Sequence, residues 1–127
     1  MIQEAYVSFE VAKLLKEKGF DIPTTSFYNS KKQYFLKIDS CLIDRNADFS
    51  LFSAPTHQMA MRWLREEKYI LIFILPGKDD NGNLTYCADV WAWNEDEGRY
   101  EPTWATDNYI YEEAVESAIK HALKNLI

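Results

Sequence analysis

Tyr69-Ile70-Leu71-Ile72-Phe73-Ile74-Leu75 is the stretch that most narrows what this chain can fold into. Seven consecutive apolar residues, three of them isoleucine, are too few and too β-branched for a separate helix. The run falls far short of the about 18 apolar residues that suggest a membrane-spanning helix. Being apolar at both odd and even positions, it predicts a central strand covered on both faces. Lys68 on one side and Pro76-Gly77-Lys78 on the other act as gatekeepers against aggregation of so apolar a segment.

The neighbouring sequence extends this strand into a meander. Residues 79–83, Asp-Asp-Asn-Gly-Asn, predict a turn, because Asn-Gly tolerates the positive φ angles a tight hairpin needs. A return strand is expected over residues 84–93. A second turn over residues 94–98 leads into a strand over residues 99–104, where Pro102 suggests an edge.

Three helices flank these strands. The first is expected over residues 8–18, with Ser8 as N-cap and Val11, Leu14 and Leu15 on one stripe. Gly19 then suits the left-handed position of a Schellman ending, with Phe20 folding back on Leu15. The second helix is expected to start near Ser53, with Pro55 in its first turn, and to carry Met59, Ala60, Trp63 and Leu64 at helical spacing. The third, residues 111–126, is the clearest element: Ala114, Val115, Ala118, Ile119, Ala122, Leu123 and Leu126 form an unbroken stripe. Its acids gather early and its bases late, as the helix dipole favours, but Ile110 cannot cap it.

Residues 21–52 are the least patterned. Two β-prone stretches, 24–28 and 34–38, flank a turn at Asn29-Ser30-Lys31-Lys32, and alternation in the second predicts one buried face. A loop is expected over residues 44–48. The order is then α-β-β-α-β-β-β-α, an α+β fold with one antiparallel sheet of about 4–5 strands packed by three helices. At 127 residues, the chain is expected to form a single domain, 1–127.

Three blocks together resemble a known family: Val7-Ser8-Phe9-Glu10-Val11-Ala12-Lys13-Leu14-Leu15 running to Gly19-Phe20; Ser53-Ala54-Pro55-Thr56 through Met59-Ala60 to Trp63-Leu64-Arg65-Glu66; and Tyr111-Glu112-Glu113-Ala114 onward. The family comprises small uncharacterised proteins of bacterial genomes, their prophages and mobile elements. The resemblance implies an accessory product of phage or mobile-element type. The family has no assigned site, so no functional residue carries over.

Charge is distributed unevenly. The net charge is −6, yet residues 1–68 hold 10 basic and 9 acidic side chains, whereas residues 69–127 hold 4 and 11. Between residues 79 and 116 a single base, Arg99, faces 11 acids. Phosphate binding needs clustered Lys and Arg, so no direct nucleic-acid contact is expected there. The residues Met1 to Ala5 show neither a basic nor an apolar leader region, which points to a cytoplasmic protein with no membrane contact.

No catalytic or cofactor pattern emerges. Gly19, Gly77, Gly82 and Gly98 form neither GxxxxGK nor GxGxxG. His57 and His121 share no metal-ligand spacing and are expected to be solvated on helix surfaces. Cys41 and Cys87, 46 positions apart, are expected to be free thiols. Glu66-Glu67-Lys68 matches the bare ExK of a metal-dependent hydrolase or nuclease, but at a helix end rather than on a strand. Neither a cofactor nor a bound metal is expected.

One cluster invites a binding role. Trp91 and Trp93 alternate onto one face of the return strand with Cys87 and Asp89, and Trp104 lies on the neighbouring strand. Tryptophan offers large contact area with a polar handle. Together with Glu95, Asp96, Glu97 and Glu101 these residues predict an acidic, Trp-bearing surface for a basic protein partner. An alternative is an acidic mimic of nucleic acid that blocks a DNA-binding protein, which requires carboxylates spaced like phosphates along one face.

Overall fold

The computed structural model describes residues 4–36 and 43–127; Cys41 and the end of the stretch over 34–38 lie outside them. Among the described residues the fold is α+β, with three α-helices and two three-stranded antiparallel sheets. Chain contacts divide it into two compact units, Met1–Ala60 and Met61–Ile127.

The first unit opens with α1 (Phe9–Glu17), whose two ends are set by local chemistry. The Ser8 hydroxyl accepts from the Val11 N–H at 3.2 Å. At the other end Gly19 adopts φ 90°, the Phe20 N–H reaches the Leu15 carbonyl at 2.9 Å, and the Gly19 N–H reaches Lys16 at 3.2 Å. Those two bonds are the Schellman ending.

Strands β1 (Ser26–Asn29), β2 (Tyr34–Leu36) and β3 (Leu51–Ser53) form the first sheet in the order β2-β1-β3. The turn between β1 and β2 is held by the Asn29 side chain, whose Oδ1 accepts from the N–H groups of Lys31 and Gln33 at 2.9 and 3.0 Å. Tyr34, Phe35 and Leu36 are all exposed, so the alternation expected to bury one face of this strand is not realised over the described residues. A three-residue 3-10 turn, Arg45–Ala47, occupies the expected loop.

This unit is fastened by polar groups reaching far along the chain. The Lys16 ammonium donates to the carbonyls of Asp48, Phe49 and Leu51 at 2.8, 3.1 and 2.7 Å, using all three of its protons. Asn46 donates to the Phe20 carbonyl at 2.8 Å and accepts from the Ser53 N–H at 2.7 Å.

Helix α2 (His57–Lys68) starts four residues later than expected. Ser53 belongs to β3 and Pro55 precedes the helix, because Thr56 is the cap: its hydroxyl accepts from the Met59 N–H at 3.1 Å. Replacing Thr56 by Ala removes that acceptor and is expected to cost about 1 kcal/mol, read from the shift in a denaturation midpoint. A Thr56→Ser substitution retains the acceptor and should restore most of the loss.

The second unit contains β4 (Ile70–Lys78), β5 (Leu84–Asn94), β6 (Arg99–Asn108) and α3 (Tyr111–Asn125). The three strands make the expected meander, in the order β4-β5-β6. Its turns are closed by asparagine and aspartate side chains. Asp79 accepts from the N–H groups of Asn81 and Asn83, Asn94 accepts from those of Asp96 and Glu97, and Gly82 and Gly98 take positive φ.

Helix α3 packs on this sheet through Val115, Ile119 and Leu123, all fully buried, with Ala114, Ala118 and Ala122 allowing close approach. It carries no side-chain cap at Ile110.

Three expectations about the sheet are corrected. Among the described residues the strands make two three-stranded sheets rather than one of 4–5 strands, and the extra strand β3 precedes α2, giving α-β-β-β-α-β-β-β-α. Consequently β4 lies at an edge and β5 is the central strand. Phe73 and Leu75, expected to be covered, are 46% and 56% exposed. Among the described residues, β1, β2 and β3 pair with one another and β4 pairs with β5 alone.

Candidate binding cleft

The site is built where α2 gives way to β4. Lys68 ends the helix, and the next residue, Tyr69, sits in the left-handed region at φ 56°. That position after a helix usually falls to glycine, since a Cβ crowds the backbone there. Tyr69 is 60% exposed. Its carbonyl accepts from the Trp93 N–H at 3.1 Å, which carries β4–β5 pairing one step past Ile70 and Ala92.

On the neighbouring strand the four-residue turn 95–98 sets Asn94 opposite Arg99 and hence Trp93 opposite Tyr100. Their rings meet edge to face, centroids 5.2 Å apart and planes at 76°. Tyr69, Trp93, Tyr100 and Glu95 line a half-open cleft of about 270 Å³. Trp93 is 40% exposed, and Glu95, Asp96 and Glu97 all reach solvent. Nearby bases are engaged elsewhere: Arg99 donates to Glu101 at 3.2 Å, and the Lys68 ammonium sits 5.3 Å from the centre of the Trp63 ring.

The seven residues expected to form one surface are therefore divided. Trp93 and Glu95 line the cleft, with Asp96 and Glu97 beside it in the turn. Trp91 shares the sheet face of Trp93 but is only partly exposed, and its Nε1 is buried with no partner among the described residues.

Trp104 and Glu101 lie on the opposite face. Trp104 pairs with Val90 and stacks on the His121 ring of α3, centroids 4.4 Å apart and planes within 6°. Burial holds the His121 imidazole below the ordinary histidine pKa, which favours the neutral ring in that stack. Glu101 pairs with Ala92, and its carboxylate accepts from Asn94 and Arg99, which hold its pKa below the ordinary value.

A β-bulge moves Trp104. Continued without interruption, the Trp93–Tyr100 register would set Trp104 opposite Asp89, on the face of the other two tryptophans. The register shifts between Val90 and Trp91 instead, leaving Thr103 as the extra residue in β6. Pro102 has no N–H to give the ladder, and the Thr103 hydroxyl donates to the Val90 carbonyl at 2.9 Å. One inserted residue reverses the facing of every side chain beyond it.

A larger cavity, about 450 Å³, lies at the other end of this sheet and includes Cys87, Asp79, Asp107 and Tyr109. Two of its groups have their states set by their neighbours. Burial, with Asp107 and Asp89 nearby, pushes the Cys87 thiol up, away from the reactive thiolate. Asp79 is held down by the Asn83 N–H and the Tyr109 hydroxyl, the latter at 2.9 Å.

Other expected candidates resolve locally. His57 is buried rather than solvated. Glu66, of the ExK triplet, accepts from Arg62 on the same helix at 3.2 Å. Among the described residues no three His, Cys, Asp or Glu side chains gather to hold a metal, and no helix is long and apolar enough to cross a membrane.

Sequence reasoning missed Tyr69 and Tyr100. The expected turn over residues 94–98 would set Trp93 opposite Arg99; the observed turn is one residue shorter, 95–98, and sets Trp93 opposite Tyr100. Tyr69 was not legible, since nothing in the apolar run marks its first residue as left-handed. Set against family models, curated proteins and solved structures, the chain matches none.

Proposed function

We propose that this protein acts without catalysis, by binding a basic segment of another protein at the acidic, aromatic end of its second sheet. The observation that carries the reading is the cleft of Tyr69, Trp93 and Tyr100 with Glu95 at its side. Exposed tyrosine and tryptophan supply contact area at low cost in side-chain entropy, and such residues dominate binding energy in protein interfaces. Exposed Glu95, Asp96 and Glu97 steer a basic chain toward them. The larger cavity supports catalysis less well, because its thiol is held protonated and its carboxylate Asp79 is already hydrogen-bonded.

Affinity capture from cell lysate, comparing the wild-type chain with Trp93→Ala, tests the reading. The partner is expected to be retained at low salt by the wild type, to elute as salt rises, and to bind the variant at least tenfold more weakly, on the order of a single hot-spot truncation. Identical partner lists for the two proteins would count against the cleft.

A further inference from the structure

The shape and charge of the cleft select among cations. Trp93 and Tyr100 meet at 76°, forming a corner rather than a flat platform, and Tyr69 adds a third wall. A planar guanidinium stacks best on one flat face, whereas a compact ammonium attracts π-faces from several directions at once. About 270 Å³ admits one side chain and no folded element. Counter-charge is present: Glu95 lines the cleft, with Asp96 and Glu97 exposed beside it, while Arg99 is held by Glu101.

We propose that this corner receives the ammonium end of a single lysine side chain displayed by the partner, with Glu95 as its carboxylate. The assignment rests on reading the cleft as a protein-binding site and names the group that enters it. The lysine stem lies along the Tyr69 ring, and its head group meets the faces of Trp93 and Tyr100. Expelling water from the exposed aromatic faces favours the stem, and the ring quadrupoles together with Glu95 favour the charge. Tyr69 is then a specificity-determining residue, which gives a role to a side chain standing at a backbone position that glycine occupies at less strain.

The test uses the whole chain and short, end-blocked glycine peptides that carry one lysine, one norleucine or one arginine, with choline as a free alkylammonium. The reporter is the indole N–H resonance of Trp93. The lysine peptide is expected to shift it saturably and to bind about tenfold more tightly than the norleucine peptide. Tyr100→Leu and Tyr69→Leu each keep apolar volume without a π-face and should weaken binding about three- to tenfold. Glu95→Gln should weaken it about threefold.

Equal binding of norleucine would make the cleft merely apolar. Tighter binding of arginine would make it a stacking platform, and tighter binding of choline a small-molecule site. Each of these results overturns the lysine assignment. No lysine-dependent shift, with lysate capture still dependent on Trp93, overturns that assignment alone. Loss of both dependences overturns the protein-binding reading as well.

Discussion

Replacing Ile119 by alanine is expected to destabilise the protein by about 2–5 kcal/mol, the range for truncating a large aliphatic side chain in a packed core. Ile119 is fully buried at the middle of the α3 stripe, between Val115 and Leu123, where the helix lies on β4, β5 and β6. The loss has two parts, the transfer free energy of the removed carbons and the cavity left behind. Collapse around that cavity is limited, because the neighbouring helix positions Ala118 and Ala122 are already small and cannot swing in to fill it.

Urea denaturation followed by helical circular dichroism measures the effect. Phe73→Ala is the control: Phe73 is as apolar as Ile119 but 46% exposed on the edge strand, and should lose about 1 kcal/mol or less. Equal losses at the two positions would mean that α3 is not the element that seals this sheet.

Tyr69→Gly is expected to move folding and binding in opposite directions. A left-handed backbone costs an ordinary residue about 1–2 kcal/mol, and glycine avoids that at the expense of greater freedom in the unfolded chain. The net gain in stability should be about 0.5–1 kcal/mol, since the 60% exposed ring contributes little to packing. The same change removes a wall of the cleft, so binding of the lysine peptide should fall by about tenfold. A denaturation midpoint and a Trp93 titration on one sample decide the matter. Lower stability would show that the ring is structural; unchanged binding would show that it is no part of the site.

Much of the fold was legible because its signals are local. The Ser8 cap, the Gly19-Phe20 ending, the Asn94 turn and the Ala-rich stripe of α3 each depend on residues within a turn or two of one another. The start of α2 was misplaced because Ser53 and Thr56 are both competent caps, and the strand pairing of Ser53 with Phe27 decides between them. The run over residues 69–75 was recognised as a strand, yet its place in the sheet was not. Apolarity at every position reports low water contact on average and says nothing about how many neighbours the strand has.

The candidate site shows the same division. Alternation put Trp91 and Trp93 on one face of β5, but the turn is one residue shorter than expected, and that sets Tyr100 rather than Arg99 opposite Trp93. Trp104 escaped to the other face through a bulge at Pro102 and Thr103, which no short-range pattern requires.

The sequence by itself determined three helices, a hairpin meander and an acidic second half, since each follows from spacing, capping and turn chemistry along a short stretch of chain. Only the tertiary structure decided that, among the described residues, the strands form two sheets, that β4 is an edge of the second, and which aromatic rings share a surface. Those outcomes depend on pairing between distant residues and on a one-residue slip in register, where a small local difference reverses the facing of a whole strand segment.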